Sequence, residues 1–150
     1  MNLRERFVEL LPKQAIRIFA GPYVAGVTMQ AALAHARQLA DLGVASTIDV
    51  LGEDVANPNE IEAYVALYIR IAESIASDAR LGKLAENLRP SISLKPSMFF
   101  VAPRDEHEHV LDATAVKWME CEATICRVLD VSTKLRIRVT VDMEDHEWTD

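Results

Sequence analysis

Three short runs rich in β-branched residues, separated by long amphipathic helical patterns, constrain this chain more than any other feature. The runs are 44–51, which contains Asp49 near its end, 91–95, which ends at Lys95, and 135–141, which is followed by Asp142. Strands that alternate with helices cannot be joined by tight hairpins, so the pattern predicts a parallel sheet. Because parallel strands end at one edge, where α/β folds bind ligands, we expect Asp49, Lys95 and Asp142 to lie together.

Three helical patterns accompany the strands, with apolar residues spaced by three and four. The first begins after the capping residue Thr28 and closes at Gly43. The second begins at 57–60, Asn-Pro-Asn-Glu, which supplies an N-cap, a first-turn proline and a glutamate for a capping box. The third runs over 106–130. Their aromatic residues lie on apolar stripes and are interpreted as core residues: Tyr64, Tyr68 and Trp118.

Composition limits the class of protein. Half of the 150 residues are hydrophobic and 26% are charged, which suits one soluble domain. We expect a helical lead-in over 1–26 and the alternating domain over 27–150. The two cysteines, Cys121 and Cys126, are interpreted as reduced, because their helical spacing places them on different faces.

Charge and hydropathy exclude several partners. A net charge of −7 with dispersed basic residues argues against nucleic-acid binding, which needs clustered lysines and arginines. No apolar stretch approaches the roughly 20 residues of a transmembrane helix, and no signal sequence opens the chain. A cytoplasmic location is expected.

Glycine motifs bear on which parallel fold this is. Neither a G-x-G-x-x-G nor a G-x-x-x-x-G-K-[ST] loop follows any predicted strand, so the dinucleotide and P-loop interpretations lose their main support. A (βα) barrel remains, and a whole one needs about 250 residues, so the chain is expected to form part of one. A doubly wound domain that binds no flavin is the structural alternative.

Four segments carry a resemblance to a known family. They are Tyr-Val-Ala-Gly-Val-Thr at 23–28, Thr-Ile-Asp-Val-Leu-Gly-Glu at 47–53, Ser-Ile-Ser-Leu-Lys at 91–95 and Val-Asp-Met-Glu-Asp at 141–145. In order, spacing and position on the predicted elements, the chain resembles the proline dehydrogenase family in its bacterial monofunctional form. The resemblance runs from about Tyr23 to Asp150.

The resemblance implies a fold, a cofactor and a reaction. The family has a distorted (βα)8 TIM-like barrel and uses FAD to oxidise L-proline to pyrroline-5-carboxylate, in the cytoplasm or at the inner membrane. By resemblance Lys95 reaches the substrate carboxylate and the flavin region, Asp142 is the catalytic-site aspartate and Met143 touches the isoalloxazine ring. This agrees with the chemistry of the residue types, because an amino acid needs a cation for its carboxylate.

The chain departs from the family pattern in two places. Pro96 and the pair Phe99 and Phe100 follow the lysine, where the family more often has a small loop. The flavin-phosphate segment with its Lys-Gly-Ala-Tyr run, and the late arginines that hold the substrate, are expected beyond Asp150. The chain is therefore expected to be the N-terminal half of the enzyme, completed by self-association or by a partner. The alternative is a non-catalytic half-barrel interaction module.

Several polar residues have simpler interpretations than catalysis. Asp49 and Glu53 are interpreted as structural carboxylates that cap a loop or pair with a neighbour. The three carboxylates of 142–145 resemble a hard-cation site but lack ligands on other strands, so no metal is predicted. His107 and His109 alternate with acids at a helix start and are interpreted as solvated.

Overall fold

A computed structural model describes residues 25–26, 28–52, 55–101 and 115–142. The chain divides into two compact units, Met1–His35 and Ala36–Asp150. The elements are α1 (Met29–Asp41), β1 (Thr47–Asp49), α2 (Pro58–Ser77), β2 (Ser91–Leu94), α3 (Ala115–Lys134) and β3 (Val139–Val141), with short 3₁₀ turns at Leu81–Lys83 and Pro96–Met98. Of the lead-in predicted over 1–26, residues 1–24 lie outside the described residues.

The three strands form a parallel sheet in the order β1-β2-β3, as predicted. Ile48 pairs with Ile92, and Ile92 pairs with Val139. Because successive side chains on a strand point to opposite faces, these registered pairs fix which residues share a face. The sheet is open in the described part of the chain, with β1 and β3 at its edges.

The two faces of the sheet differ in chemistry. Registered residues on one face are apolar: Ile48, Ile92, Leu94, Val139 and Val141. Registered residues on the other face are polar: Thr47, Asp49, Ser91, Ser93 and Thr140. Ile92 and Leu94 are fully buried in the core. The central strand therefore packs through its apolar face and presents hydroxyl and charged groups on the opposite face.

The helix α2 supplies more buried apolar residues than any other described helix or strand. Its predicted stripe is confirmed in the buried residues Val65, Tyr68, Ile71, Ala72 and Ile75. The Asn57 side chain caps it by accepting from the Asn59 and Glu60 amides. The Glu60 carboxylate accepts from the Ala56 amide at 2.8 Å, one residue before the amide that a capping box uses. The cap therefore also ties down the residue before the N-cap.

Two helices end in the same hydrogen-bonded turn. At the end of α1 the Val44 and Gly43 amides donate to the Leu39 and Ala40 carbonyls, and Gly43 has a φ of 73°. This is a Schellman motif with its left-handed residue at Gly43. Thr28 caps the start of α1, since its Oγ1 accepts from the Ala31 amide. Both predicted ends of this helix are confirmed.

The corresponding turn at the end of α3 corrects a predicted boundary. The Ile137 and Arg136 amides donate to the Ser132 and Thr133 carbonyls, and Arg136 has a φ of 56°. The amide of Leu135 bonds to the Val131 carbonyl. These amides cannot also join a sheet, so the strand predicted from residue 135 begins at Val139.

The predicted first strand was also too long, because Val44 closes the turn after α1 and β1 begins at Thr47.

In the described ranges, no helix has the length and apolar character needed to cross a membrane.

Candidate active site

The carboxyl ends of the three strands bring together three charged residues. The Lys95 Nζ lies 3.9 Å from the Asp49 Oδ2. The Asp142 amide donates to the Leu94 carbonyl at 2.8 Å, which places Asp142 beside Lys95, one residue beyond the last registered pair. The prediction that the three residues share one edge is confirmed.

Lys95 is buried although it carries a charge. The residue is 5% exposed, whereas the side chain of its partner Asp49 is 39% exposed. A separation of 3.9 Å is an ion pair rather than a hydrogen bond, since charged hydrogen bonds are about 2.7 to 2.9 Å long. Asp49 thus pairs with a neighbour, as the structural interpretation of that residue predicted. The Lys95 backbone is extended, so its side chain continues the polar face of Ser91 and Ser93.

The segment after Lys95 is a buried 3₁₀ turn. The Met98 and Phe99 amides donate to the Lys95 and Pro96 carbonyls at 3.1 and 2.9 Å. Met98, Phe99 and Phe100 are all at most 5% exposed. The departure from the family pattern at Pro96 and the two phenylalanines therefore forms a compact apolar cluster directly after the lysine. We call this cluster the plug; its residues are Pro96, Met98, Phe99 and Phe100.

Neighbouring elements hold this plug in place. The Tyr68 hydroxyl of α2 donates to the Met98 sulfur at 3.5 Å, and the Tyr68 ring lies 5.6 Å from the Phe99 ring. The Cys121 thiol of α3 donates to the Pro96 carbonyl at 3.8 Å. Burial raises the pKa of the Cys121 thiol to about 11, so this cysteine stays protonated and structural. Cys121 and Cys126 are both free.

A row of hydroxyl groups lies on the polar face below Lys95. The Thr47 and Ser91 hydroxyls are 2.8 Å apart and share a hydrogen bond. Ser93 lies between Asp49 and Thr140 in the register of the sheet and is 8% exposed. These hydroxyl residues were not among the predicted site residues. The signal was present in the strict Ser-x-Ser-x-Lys alternation of 91–95, which places three polar residues on one face.

The predicted site residue Met143 falls outside the described residues. So do the residues that were given simpler interpretations: Glu53, His107, His109 and the remainder of the acidic run 142–145. Trp118 belongs to α3, and the structure describes its backbone but not its side chain. Among the described residues no three His, Cys, Asp or Glu side chains are grouped to hold a metal ion.

Comparison with protein families shows which family the chain belongs to. The family model for proline dehydrogenase matches residues 32–150. The chain belongs to the proline dehydrogenase family. Members of this family oxidise proline and are generally flavin-dependent. Comparison with curated proteins gives no match.

The described residues of this proline dehydrogenase family member suit a flavin and an amino acid. A flavin ring needs hydrogen-bond donors and positive charge near its nitrogens and oxygens. The buried Lys95 ammonium supplies both, and the Ser93 and Thr140 hydroxyls share its face. A carboxylate substrate needs a cation, and the Lys95 ammonium group has the charge that such a substrate requires. The donor set at this edge therefore fits the cofactor that the family uses.

Proposed function

We propose that this chain carries part of an active site for the FAD-dependent oxidation of L-proline to pyrroline-5-carboxylate. The observation that supports the proposal most strongly is the meeting of Asp49, Lys95 and Asp142 at one sheet edge, with the lysine buried. Buried charged residues are rare unless they are paired or functional. The family match supports proline as the substrate and a flavin as the cofactor.

Lys95 is proposed to bind the proline carboxylate. Its 5% exposure places the ammonium group where water competes little, so its attraction for an anion is stronger than at an exposed site. Asp49, 3.9 Å away, limits the direction in which the ammonium group can move. Substrate binding at this lysine would fix the ring carbon that loses hydride.

Asp142 and Met143 complete the proposed set. Asp142 is exposed at the end of β3 beside Lys95, where its carboxylate can reach a ligand held by the lysine. Met143, outside the described residues, is proposed to touch the isoalloxazine ring. When bound, FAD supplies the hydride-accepting chemistry. The buried plug follows Lys95 directly in the chain and is proposed to help keep water from the lysine.

The sheet is proposed to be part of a (βα)8 barrel, with 27–150 as its N-terminal half. The polar face supports this assignment over a doubly wound domain, because strands of a doubly wound sheet are buried by helices on both faces and are apolar throughout. Here Ser91, Ser93 and Lys95 line one face of the central strand. A barrel interior that receives a polar ligand explains such a face.

The test is to purify the chain and measure flavin absorbance and proline-dependent dye reduction. Lys95→Met should reduce proline-dependent turnover by about 100-fold, the order of effect seen when one well-placed polar group is removed from an active site. The matched control is Lys83→Met, because Lys83 is exposed at the opposite end of the sheet. Equal activity in Lys95→Met and Lys83→Met would refute the role of Lys95.

A non-catalytic interaction module is the second candidate, and exposed apolar residues favour it. Leu51 is 74% exposed, Met119 is 68% exposed and Val141, on the edge strand β3, is 42% exposed. Such residues beside open strand edges favour self-association or a partner. Sedimentation of the purified chain with and without FAD separates the candidates. A colourless, inactive oligomer would support the module and contradict the enzyme.

A further inference from the structure

The loops that follow β1 and β2 contact each other at a glycine. A methyl group on Gly52 would overlap the Tyr64 hydroxyl of α2 and would lie 3.1 Å from the Met98 Cε. Gly52 follows β1 three residues after Asp49, and Met98 follows β2 three residues after Lys95. Gly52 and Met98 are therefore each close in the chain to one residue of the Asp49–Lys95 ion pair.

The Met98 side of the contact is firmly held. Met98 is fully buried, its amide donates to the Lys95 carbonyl, and its sulfur accepts from the Tyr68 hydroxyl. A displacement of Met98 is therefore transmitted to the backbone of Lys95. On the other side, Tyr64 is only half-buried, so its ring can move when the loop after β1 moves.

We propose that Gly52 is a positioning residue, which lets the loop after β1 seat against Tyr64 and Met98 and so holds Asp49 against Lys95. This proposal deepens the proposed function, because the pair it positions is the proposed substrate-binding pair. The atoms that a Gly52 side chain would displace are the ends of side chains rather than backbone. Substitution is therefore expected to shift the chain around Gly52 and the Met98 side chain, and to leave the fold intact.

The test measures the geometry directly, by lysine labelling under native conditions with mass spectrometry. In the wild-type chain Lys95 should be labelled slowly, because it is 5% exposed, and the exposed Lys83 serves as the internal standard. Gly52→Ala should raise the labelling of Lys95 relative to Lys83 several-fold. Gly52→Ala/Tyr64→Phe, which removes the overlapping hydroxyl, should restore much of the protection.

The matched control is Gly43→Ala at the opposite end of the sheet. Gly43 has no atom within 4 Å of an added methyl group, but its φ of 73° makes any side chain unfavourable. This variant should lose stability and leave the labelling of Lys95 unchanged. Unchanged labelling in Gly52→Ala, or an equal rise in Gly43→Ala, would overturn the proposal.

Activity provides a second readout. If the chain oxidises proline, Gly52→Ala should raise KM for proline more than it lowers kcat, because the lysine that binds the carboxylate has moved while the flavin chemistry has not. A fall in kcat with no change in KM would overturn the positioning role. A chain without proline oxidation would contradict the proposed function, and the labelling result would still decide the role of Gly52.

Discussion

The two ends of the sheet use charged residues in opposite ways. At the carboxyl end, Asp49, Lys95 and Asp142 meet as side chains, with a buried ammonium group among them. At the amino end, the principal charged residue is Arg89, whose guanidinium group donates to backbone. Its acceptors are the carbonyls of Gly82, Leu84, Leu135 and Arg136.

The charged residues at the two ends of the sheet therefore differ in what they bind, backbone carbonyls at one end and side chains at the other. Arg89 joins the 3₁₀ turn before β2 to the turn before β3, and it satisfies carbonyls that have no partner in a regular element. The carboxyl end contributes side chains that point toward a common edge instead. In (βα) barrels the carboxyl-terminal face carries catalysis and the amino-terminal face carries stability. The proposed function of this chain would follow the same division.

The largest expected effect on stability is at Arg89. Arg89→Met keeps an apolar stem but removes the donors to four carbonyls, so we expect a loss of about 2 to 4 kcal/mol in the free energy of unfolding. Arg138→Met is the matched control at the same end, since Arg138 is exposed and donates a single bond of 3.4 Å to the Asn87 carbonyl. Urea denaturation measures both. Equal losses would mean that charge alone, rather than carbonyl pairing, matters there.

The carboxyl end should respond differently to the loss of its buried cation. Lys95→Met replaces a buried charge by an apolar side chain of similar size, a change that is often neutral or stabilising. We expect the free energy of unfolding to change by less than about 1 kcal/mol, because the ion pair with Asp49 is long and Asp49 is partly solvated. A loss as large as that of Arg89→Met would break the division between the two ends.

Hydrophobic pattern and turn chemistry predicted most of this architecture. The parallel sheet, the cap at Asn57, the buried stripe of α2 and the glycine that ends α1 all follow from local rules about periodicity and capping. The exact strand ends did not follow. At α3 the alternation of Leu135, Ile137 and Val139 is typical of a strand, but the first two amides bond back to the helix. A left-handed arginine gives no sequence signal comparable to glycine.

The site was predicted as a set of strand ends, and the packing around it was not. Lys95 and Asp142 lie where a parallel sheet must place them, so topology alone brought them together. Three features depend on which side chains meet across elements. They are the plug, the hydroxyl row through Ser93 and the contact at Gly52. Such long-range contacts are not visible in local periodicity.

The amino end of the sheet also carries an acid-sensitive ion pair. Asp78 accepts from Arg37 Nη2 at 2.7 Å and from the Arg80 and Leu81 amides at 2.9 Å. The hydrogen bond from Arg37 is the main cause that lowers the pKa of Asp78 from 3.8 to about 2. Because the carboxylate is favoured in the folded state, its contribution is complete above pH 4 and is lost as the pH falls toward 2.

Asp78→Asn should therefore lower the free energy of unfolding by about 2 kcal/mol at neutral pH, with a difference from the wild type that shrinks between pH 4 and pH 2. Glu62→Gln is the control, since the ion pair of Glu62 with Arg127 is exposed on both sides. Its removal should have no measurable effect on the pH dependence, because exposed ion pairs contribute little. A constant difference across the pH range would contradict the role assigned to Asp78.

The smallest expected effect on stability concerns the two Schellman turns. They differ in the residue at the left-handed position. Gly43 and Arg136 occupy the same left-handed position, but arginine pays a steric penalty there that glycine avoids. Arg136→Gly should raise the free energy of unfolding by about 0.5 to 1 kcal/mol, whereas Gly43→Ala should lower it by about 1 kcal/mol. Both changes are measured by urea denaturation.

The sign of the Arg136→Gly effect tests what holds the amino end together. The Arg136 carbonyl accepts from Arg89, and this bond does not depend on the Arg136 side chain. If Arg136→Gly stabilises the chain, the turn before β3 is held by backbone bonds and by Arg89 alone. If it destabilises the chain, the Arg136 side chain contributes more than its strained backbone costs, and the amino end would also rely on a charged side chain at its surface.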